Sequence, residues 1–269
     1  MEQRSIYRKT VRDIIAVEPR EGWLEVRIDR EAKRNALNRA ARERLREVFD
    51  DARGQARAIV LTGTGASFCA GLDLKEREAE KAAGLPDTAG EEAIALNVAM
   101  REHPAIFIAA VNGMAFGGGM TLVNSCDLAV AASDAQLACP EIGFATYASM
   151  AGPTSQLLLT RKRAAWLLLT NERIDAETAR QWGLVNEVVA PDRLMARARE
   201  LAARIAGFDA AALAETKKAL GAVPGDITGW REAMEFGQTV NTAIRARTDA
   251  AAQGLARFTR GERNPGQGN

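Results

Sequence analysis

Along the first sixty residues the apolar positions change rhythm. Residues 12–28 read as a hairpin: Ile14, Ile15 and Val17 make one short run, Glu21-Gly22 signals a turn, and Trp23 to Ile28 alternates apolar with polar. Over residues 38–52 the spacing becomes three to four, with Leu45, Val48, Phe49 and Ala52 on one face, which predicts an amphipathic helix. Ala58 to Thr62 is then an unbroken apolar run of buried-strand type, closed by Gly63-Thr64-Gly65. Strand, helix and second apolar strand in this order predict an α/β fold.

The same reading carries on down the chain. A loop holds Phe68 to Leu74, and residues 76–90 are polar and broken by Gly84, Pro86 and Gly90. A helix is predicted over 91–101 and a buried strand over 106–111, closed by Asn112-Gly113. Phe116 and three glycines, 117–119, lead into a buried helix over 120–123. Strands follow at 128–131 and 136–138, ahead of Pro140-Glu141. From Thr154 onward the pattern is mostly helical, with helices over 192–206, 209–219 and 226–258 broken by Gly207, Gly221 and Pro224. The polar, Gly-rich stretch 261–269 reads as a frayed tail. No sequence repeat and no linker between independent domains is visible.

Composition narrows the function classes. The 269 residues carry 36 basic and 35 acidic side chains, net +1, and only 5% aromatics, so neither a phosphate-binding charge excess nor stacking platforms point to nucleic acid. No 18-residue apolar run predicts a membrane span, and the first residues lack the apolar core of a signal peptide. Three cysteines (69, 126 and 139) with no CxxC pair argue against a disulfide framework or structural zinc and fit a reducing cytoplasm. The single histidine, His103, would have to support any Ser-His-Asp triad or histidine metal site alone. Its Arg-Glu-His-Pro setting reads as an exposed connection.

Three segments are candidates for chemistry. Gly117-Gly118-Gly119 lies between a strand and a helix start, where backbone amides can approach an anion and the helix dipole favours it. Taken alone, it reads first as a plain flexible turn. The loop from Phe68 to Lys75 has a similar shape, and two such turns, each offering one amide, would make a two-donor oxyanion hole. Glu141 follows Pro140 among apolar neighbours, a setting that raises a carboxyl pKa and suits general acid/base work; the plain alternative is an acidic first-turn residue of a helix. Cys69 and Cys139 have no histidine to activate them and read as small buried fillers, and Asp127 as a structural hydrogen-bonding group.

These pieces, in this order and spacing, resemble the crotonase superfamily, the enoyl-CoA hydratase/isomerase family. The matching residues are 33–38 (KRNALN), 68–75 (FCAGLDLK), 108–113 (IAAVNG), 117–119, Cys126-Asp127, Pro140-Glu141, 183–186 (GLVN) and 254–258 (GLARF). The resemblance implies repeated ββα units wound into a spiral over 1–200, carrying an acyl-CoA site, and a helical C-terminal region over 201–269 used in trimerisation. It implies an acyl-CoA thioester substrate, a homotrimer or dimer of trimers, and no cofactor, since coenzyme A enters as part of the substrate. By position, the amides of Leu72 and Gly118 would form the oxyanion hole and Glu141 would be the catalytic carboxylate. Lys33, Ala70, Asp73, Leu74, Lys75, Gly117 and Thr121 would contact substrate; Lys33, Arg34 and Lys75 are candidates for the CoA phosphates or for an ordinary solvated face. Leu96, Met100, Phe144, Tyr147 and Met150 are candidates for an acyl pocket or for ordinary core.

One departure bears on the reaction. Typical hydratases of this family carry two glutamates, and the first of those positions is Thr121 here. A threonine hydroxyl orients water but is too weak an acid to share proton transfer near neutral pH. One carboxylate suffices to take a proton from C2 and return it at C4, so the pattern favours moving a double bond from C3–C4 to C2–C3. Ser149 stands where a dienoyl-CoA isomerase would carry another acid, which disfavours that subtype. The alternatives are a hydratase using Thr121 and water, a thioester or C–C bond hydrolase, and a binding protein that has lost catalysis.

Overall fold

The computed structural model describes residues 14–226 and 229–260. The predicted tail at 261–269 and the start of the predicted hairpin, 12–13, lie outside the described residues. The hairpin forms from β1 (Ile15–Arg20) and β2 (Trp23–Ile28), antiparallel with Ile15 opposite Ile28 and Arg20 opposite Trp23. Helix α1 (Arg39–Ala52) starts where Asn38 accepts the Ala41 amide at 3.0 Å, satisfying one of the donors that a helix N-terminus leaves open.

The chain then repeats one manoeuvre. A long strand joins a first sheet, a short strand joins a second sheet, and helix returns the chain. The first turn is β3 (Ala58–Gly63), β4 (Ser67–Cys69), α2 (Leu74–Ala82) and α3 (Ala89–Glu102). The second is β5 (Ile106–Val111), β6 (Met114–Phe116) and α4 (Gly118–Ser125). The third is β7 (Leu128–Ala132), β8 (Gln136–Ala138), a 3-10 turn (Pro140–Phe144), α5 (Ala151–Leu158) and α6 (Arg161–Leu169). A last pass adds β9 (Ile174–Asp175), α7 (Ala176–Trp182) and β10 (Glu187–Val189). The first sheet has strand order β1-β2-β3-β5-β7-β10 and the second β4-β6-β8-β9. Each turn therefore advances one strand in both sheets, a spiral of ββα units.

The apolar runs of β3 and β5 are explained by burial on both faces. Ile59 and Leu61 of β3, with Phe107, Ala109 and Val111 of β5, pack in the main core with α1. Ala58, Val60, Ile108 and Ala110 face the other way. They are covered by α8 (Leu194–Ala206) through Leu194, Ala198, Ala202 and Ala206, so this helix runs straight through the boundary expected at residue 200. Helices α9 (Ala210–Asp226), α10 (Trp230–Arg247) and α11 (Ala250–Thr259) follow.

Two expectations are corrected here. Gly221 and Pro224 do not break α9: a glycine costs only about 1 kcal/mol in a helix, and the proline sits in the last turn. His103 is not an exposed linker residue but 1% exposed. Its Nε2 donates to the Phe49 carbonyl at 2.8 Å, its Nδ1 accepts the Ala105 amide at 2.9 Å, and its ring meets Phe107 edge-on. Burial pulls its pKa down to about 4, so it is neutral. Beside it Lys217 of α9, 5% exposed, donates to the Met100 and Ala105 carbonyls at 2.9 Å each and pairs with Asp127 at 2.8 Å. Asp127 also accepts the Phe107 amide at 2.8 Å, the structural role expected for it. This knot ties the C-terminal helices to the start of β5. Among the described residues, no helix is long and apolar enough to cross a membrane.

Candidate active site

The second sheet's parallel strands β4, β6 and β8 end together, and the segments that follow them meet. After β4, Leu37 bridges the loop: its amide donates to the Gly71 carbonyl at 2.7 Å, and its carbonyl accepts the Asp73 amide at 3.1 Å. In such a bridge the intervening residue points its own amide the other way, so the Leu72 N–H faces the turn after β6. That turn is Gly117, with φ +52°, followed by Gly118 at the first position of α4, where helix amides have no intrahelical acceptor. The two turns touch. A Cβ on Gly71, whose φ is +95°, would lie 3.0 Å from the Gly118 nitrogen, and one on Gly118 would lie 3.5 Å from the Leu72 nitrogen. Among the described residues nothing accepts a hydrogen bond from either amide. Two neighbouring unspent donors at a helix start suit an oxyanion.

After β8, the 3-10 turn places Glu141 against the same point. Its Oε1 occupies the space a Cβ on Gly117 would need, at 2.8 Å. Its Oε2 is buried without a hydrogen-bond partner. Burial therefore raises the Glu141 pKa above the ordinary carboxylate range. A cavity of about 860 Å³, within the range of small-molecule sites, opens over these groups. Glu141 is the sole carboxylate among the described residues that line it.

Of the residues singled out from sequence, Ala70, Leu72, Leu74, Gly117, Gly118 and Glu141 line this cavity. Lys33, Asp73, Lys75 and Thr121 do not. Lys33 and Lys75 are exposed elsewhere, while Arg34 reaches the cavity. Asp73 caps α2 by accepting the Glu76 amide at 3.1 Å and pairs with Arg30. Thr121, 1% exposed, turns its hydroxyl back along α4 to donate to the Gly117 carbonyl at 3.2 Å. That back-bond is why it does not face the space beside Glu141. Leu96, Phe144, Tyr147 and Met150 line the cavity, whereas Met100 is core. The cysteines are buried, and burial pushes Cys69 and Cys139 up to about 12, so neither is a thiolate near neutral pH.

Sequence reading missed Asn97, Asn171 and Arg173 in the lining. Arg173 precedes β9 and stacks over Phe116 at 5.0 Å while donating to Gln136. Its place follows from the pairing of β9 with β8, which no local signal in the chain announces.

Comparison with known proteins agrees with this geometry. The family model for enoyl-CoA hydratase/isomerase matches residues 18–261. A mevalonyl-coenzyme A hydratase of Aspergillus fumigatus is 30% identical over 257 residues, covering 88% of this chain and 92% of that protein. A probable enoyl-CoA hydratase of Rhodobacter capsulatus is 37% identical over 209 residues, covering 76% and 80%. The crystal structure of an enoyl-CoA hydratase of Mycobacterium smegmatis superposes with a TM-score of 0.84 at 30% identity, over 94% of this chain and 98% of that one. A spiral of ββα units, two unspent amides beside a buried carboxylate and these matches lead to one conclusion: the chain belongs to the enoyl-CoA hydratase/isomerase family and has the crotonase fold.

Proposed function

We propose that the chain is an acyl-CoA isomerase that moves a double bond from C3–C4 to C2–C3 with one carboxylate. The thioester carbonyl sits on the amides of Leu72 and Gly118. Glu141 takes a proton from C2, the electron pair passes into the carbonyl, and the two amides stabilise the enolate oxygen. The Glu141 carboxylic acid then returns the proton at C4 of the dienolate, restoring the carboxylate. No water or other reactant is consumed, and no cofactor beyond the substrate's own coenzyme A is needed. Assembly as a trimer or a pair of trimers belongs to the same reading, and light scattering of the purified chain tests it.

The observation that carries this reading is that Glu141 is the one carboxylate at the cavity among the described residues, while Thr121 spends its hydroxyl on Gly117. Hydration asks for a group that activates water and another that delivers a proton, and the second is missing. The names of the relatives favour hydration as the second reading. Parallel assays with 3-enoyl-CoA and 2-enoyl-CoA separate the two. Conversion of the 3-enoyl thioester without water addition to the 2-enoyl thioester is expected. Hydration at rates ordinary for enzymes, about 1–10³ s⁻¹, overturns the isomerase reading.

A further inference from the structure

Beyond Glu141 the cavity carries polar groups with hydrogen-bonding capacity to spare. Asn97 of α3 lines it. Its Nδ2 donates to the Ala93 carbonyl and its Oδ1 accepts the Ser125 hydroxyl, each at 2.8 Å. One N–H and one lone pair of this amide remain unspent. Tyr147 lines the same cavity, and its Oη accepts Gln156 Nε2 at 2.8 Å, which leaves the phenol's own hydrogen to donate. The ring has a made seat: a Cβ on Gly152 would stand 2.7 Å from that oxygen. Ser149, also in the lining, has no protein partner among the described residues.

Water satisfies such groups in an open site. A plain alkyl chain that displaced the water would leave the half-buried Asn97 amide unpaired, at roughly tenfold in affinity, whereas Tyr147 and Ser149 are exposed and lose less. A hydroxyl answers either group, since it can accept from the Tyr147 phenol or donate to Asn97 Oδ1. We propose that Asn97 and Tyr147 form a subsite selecting thioesters whose acyl chain bears a hydroxyl beyond C3, away from the carbons that react. This rests on the acyl-CoA reading above and names the class of acyl group.

The test uses unreactive saturated thioesters: hexanoyl-CoA, its 4-, 5- and 6-hydroxy derivatives, and adipoyl-CoA, titrated calorimetrically into the full-length protein with free coenzyme A as reference. At least one hydroxylated thioester should bind about tenfold more tightly than hexanoyl-CoA. Tyr147→Phe and Asn97→Leu should each erode that preference without weakening hexanoyl-CoA. Gly152→Ala, which pushes the phenol off its seat, should act like Tyr147→Phe. Equal binding of plain and hydroxylated chains, or variants that weaken both alike, overturns the subsite. So does a preference for adipoyl-CoA over every hydroxylated chain, which would assign the pocket to a carboxylate read by Arg173. If neither free coenzyme A nor any thioester binds, the acyl-CoA reading itself falls and takes the subsite with it, a result distinct from binding without preference.

Discussion

Two places in this molecule bury polar atoms, and they treat them in opposite ways. Under the start of β5, His103, Asp127 and Lys217 are matched: two carbonyls and a carboxylate for the lysine, a carbonyl and an amide for the histidine, an amide and an ammonium for the aspartate. At the ends of β4, β6 and β8 the Leu72 and Gly118 amides and Glu141 Oε2 are unmatched. A folded chain loses stability for every buried polar atom left alone; Thr64 Oγ1 and Asn124 Oδ1 are lone cases elsewhere, but at the site three unmatched groups converge where something outside the chain can complete them. The difference separates groups that hold the fold from groups that await a ligand: His103 and Lys217 are buried, whereas Leu72, Gly118 and Glu141 are half-buried at the edge of the cavity.

The comparison is broken most directly at Glu141. Glu141→Gln should cut turnover by about 10²–10⁴-fold while thioester binding survives, since the amide keeps volume but cannot accept the proton. Because burial raises this carboxyl's pKa, the charged form weakens the fold as pH rises through that value. The variant should therefore be no less stable than wild type at neutral pH, by urea denaturation. A less stable variant would move Glu141 to the structural side of the comparison.

Lys217→Met should do the reverse. It leaves Asp127 buried without its partner, and the expected loss is about 3–5 kcal/mol in unfolding free energy, with kcat of the folded enzyme unchanged. An equally stable variant would show the knot to be decorative.

Gly118→Pro sharpens the active-site half. Proline suits the first position of a helix but lacks the N–H, so a loss of about 10²–10³-fold in kcat is expected without global unfolding. Gly118→Ala is the control: it adds the same Cβ, which must gain a few tenths of an ångström against Gly71, yet keeps the amide. If both variants lose activity equally, crowding rather than the missing donor is responsible.

The smallest effect is a pH slope. His103 is held neutral with a pKa of about 4, below its unfolded value of about 6.5, so the unfolded chain binds its proton first. The stability this gives is whole above pH 6.5 and is lost as pH falls towards 4, by up to about 3 kcal/mol. His103→Gln, whose amide can still donate to Phe49, should flatten this part of the stability curve. An unchanged slope would assign acid sensitivity to other groups.

How much of this was legible in the chain follows from the length of each signal. The hairpin, α1, β3, β5 and β7 run for five residues or more and declare their period, and the structure keeps them nearly as read. The second sheet was almost invisible. β4, β6 and β9 have three, three and two residues, too few for alternation to register, and they form because the long strands beside them deliver them to one another. α2 buries no residue and so shows no apolar stripe, which makes its sequence look like polar loop. At the site, the glycine turns and Pro140-Glu141 were readable because their chemistry is local. Thr121, Asn97 and Arg173 were not, since their places depend on a back-bond in α4, on the packing of α3 against α4, and on pairing across the second sheet.

The spiral has a consequence for how such a protein changes over time. Successive coils bring one segment each to the same end: the first offers Leu72, the second Gly118, the third Glu141. In the proposed reaction two coils would grip the carbonyl and another would handle the proton. On that reading, a lineage could rewrite the third coil, and the reaction with it, while leaving the two amide-bearing turns as they are. The architecture divides labour by repeat, so new chemistry costs one revised loop and not a redesigned pocket.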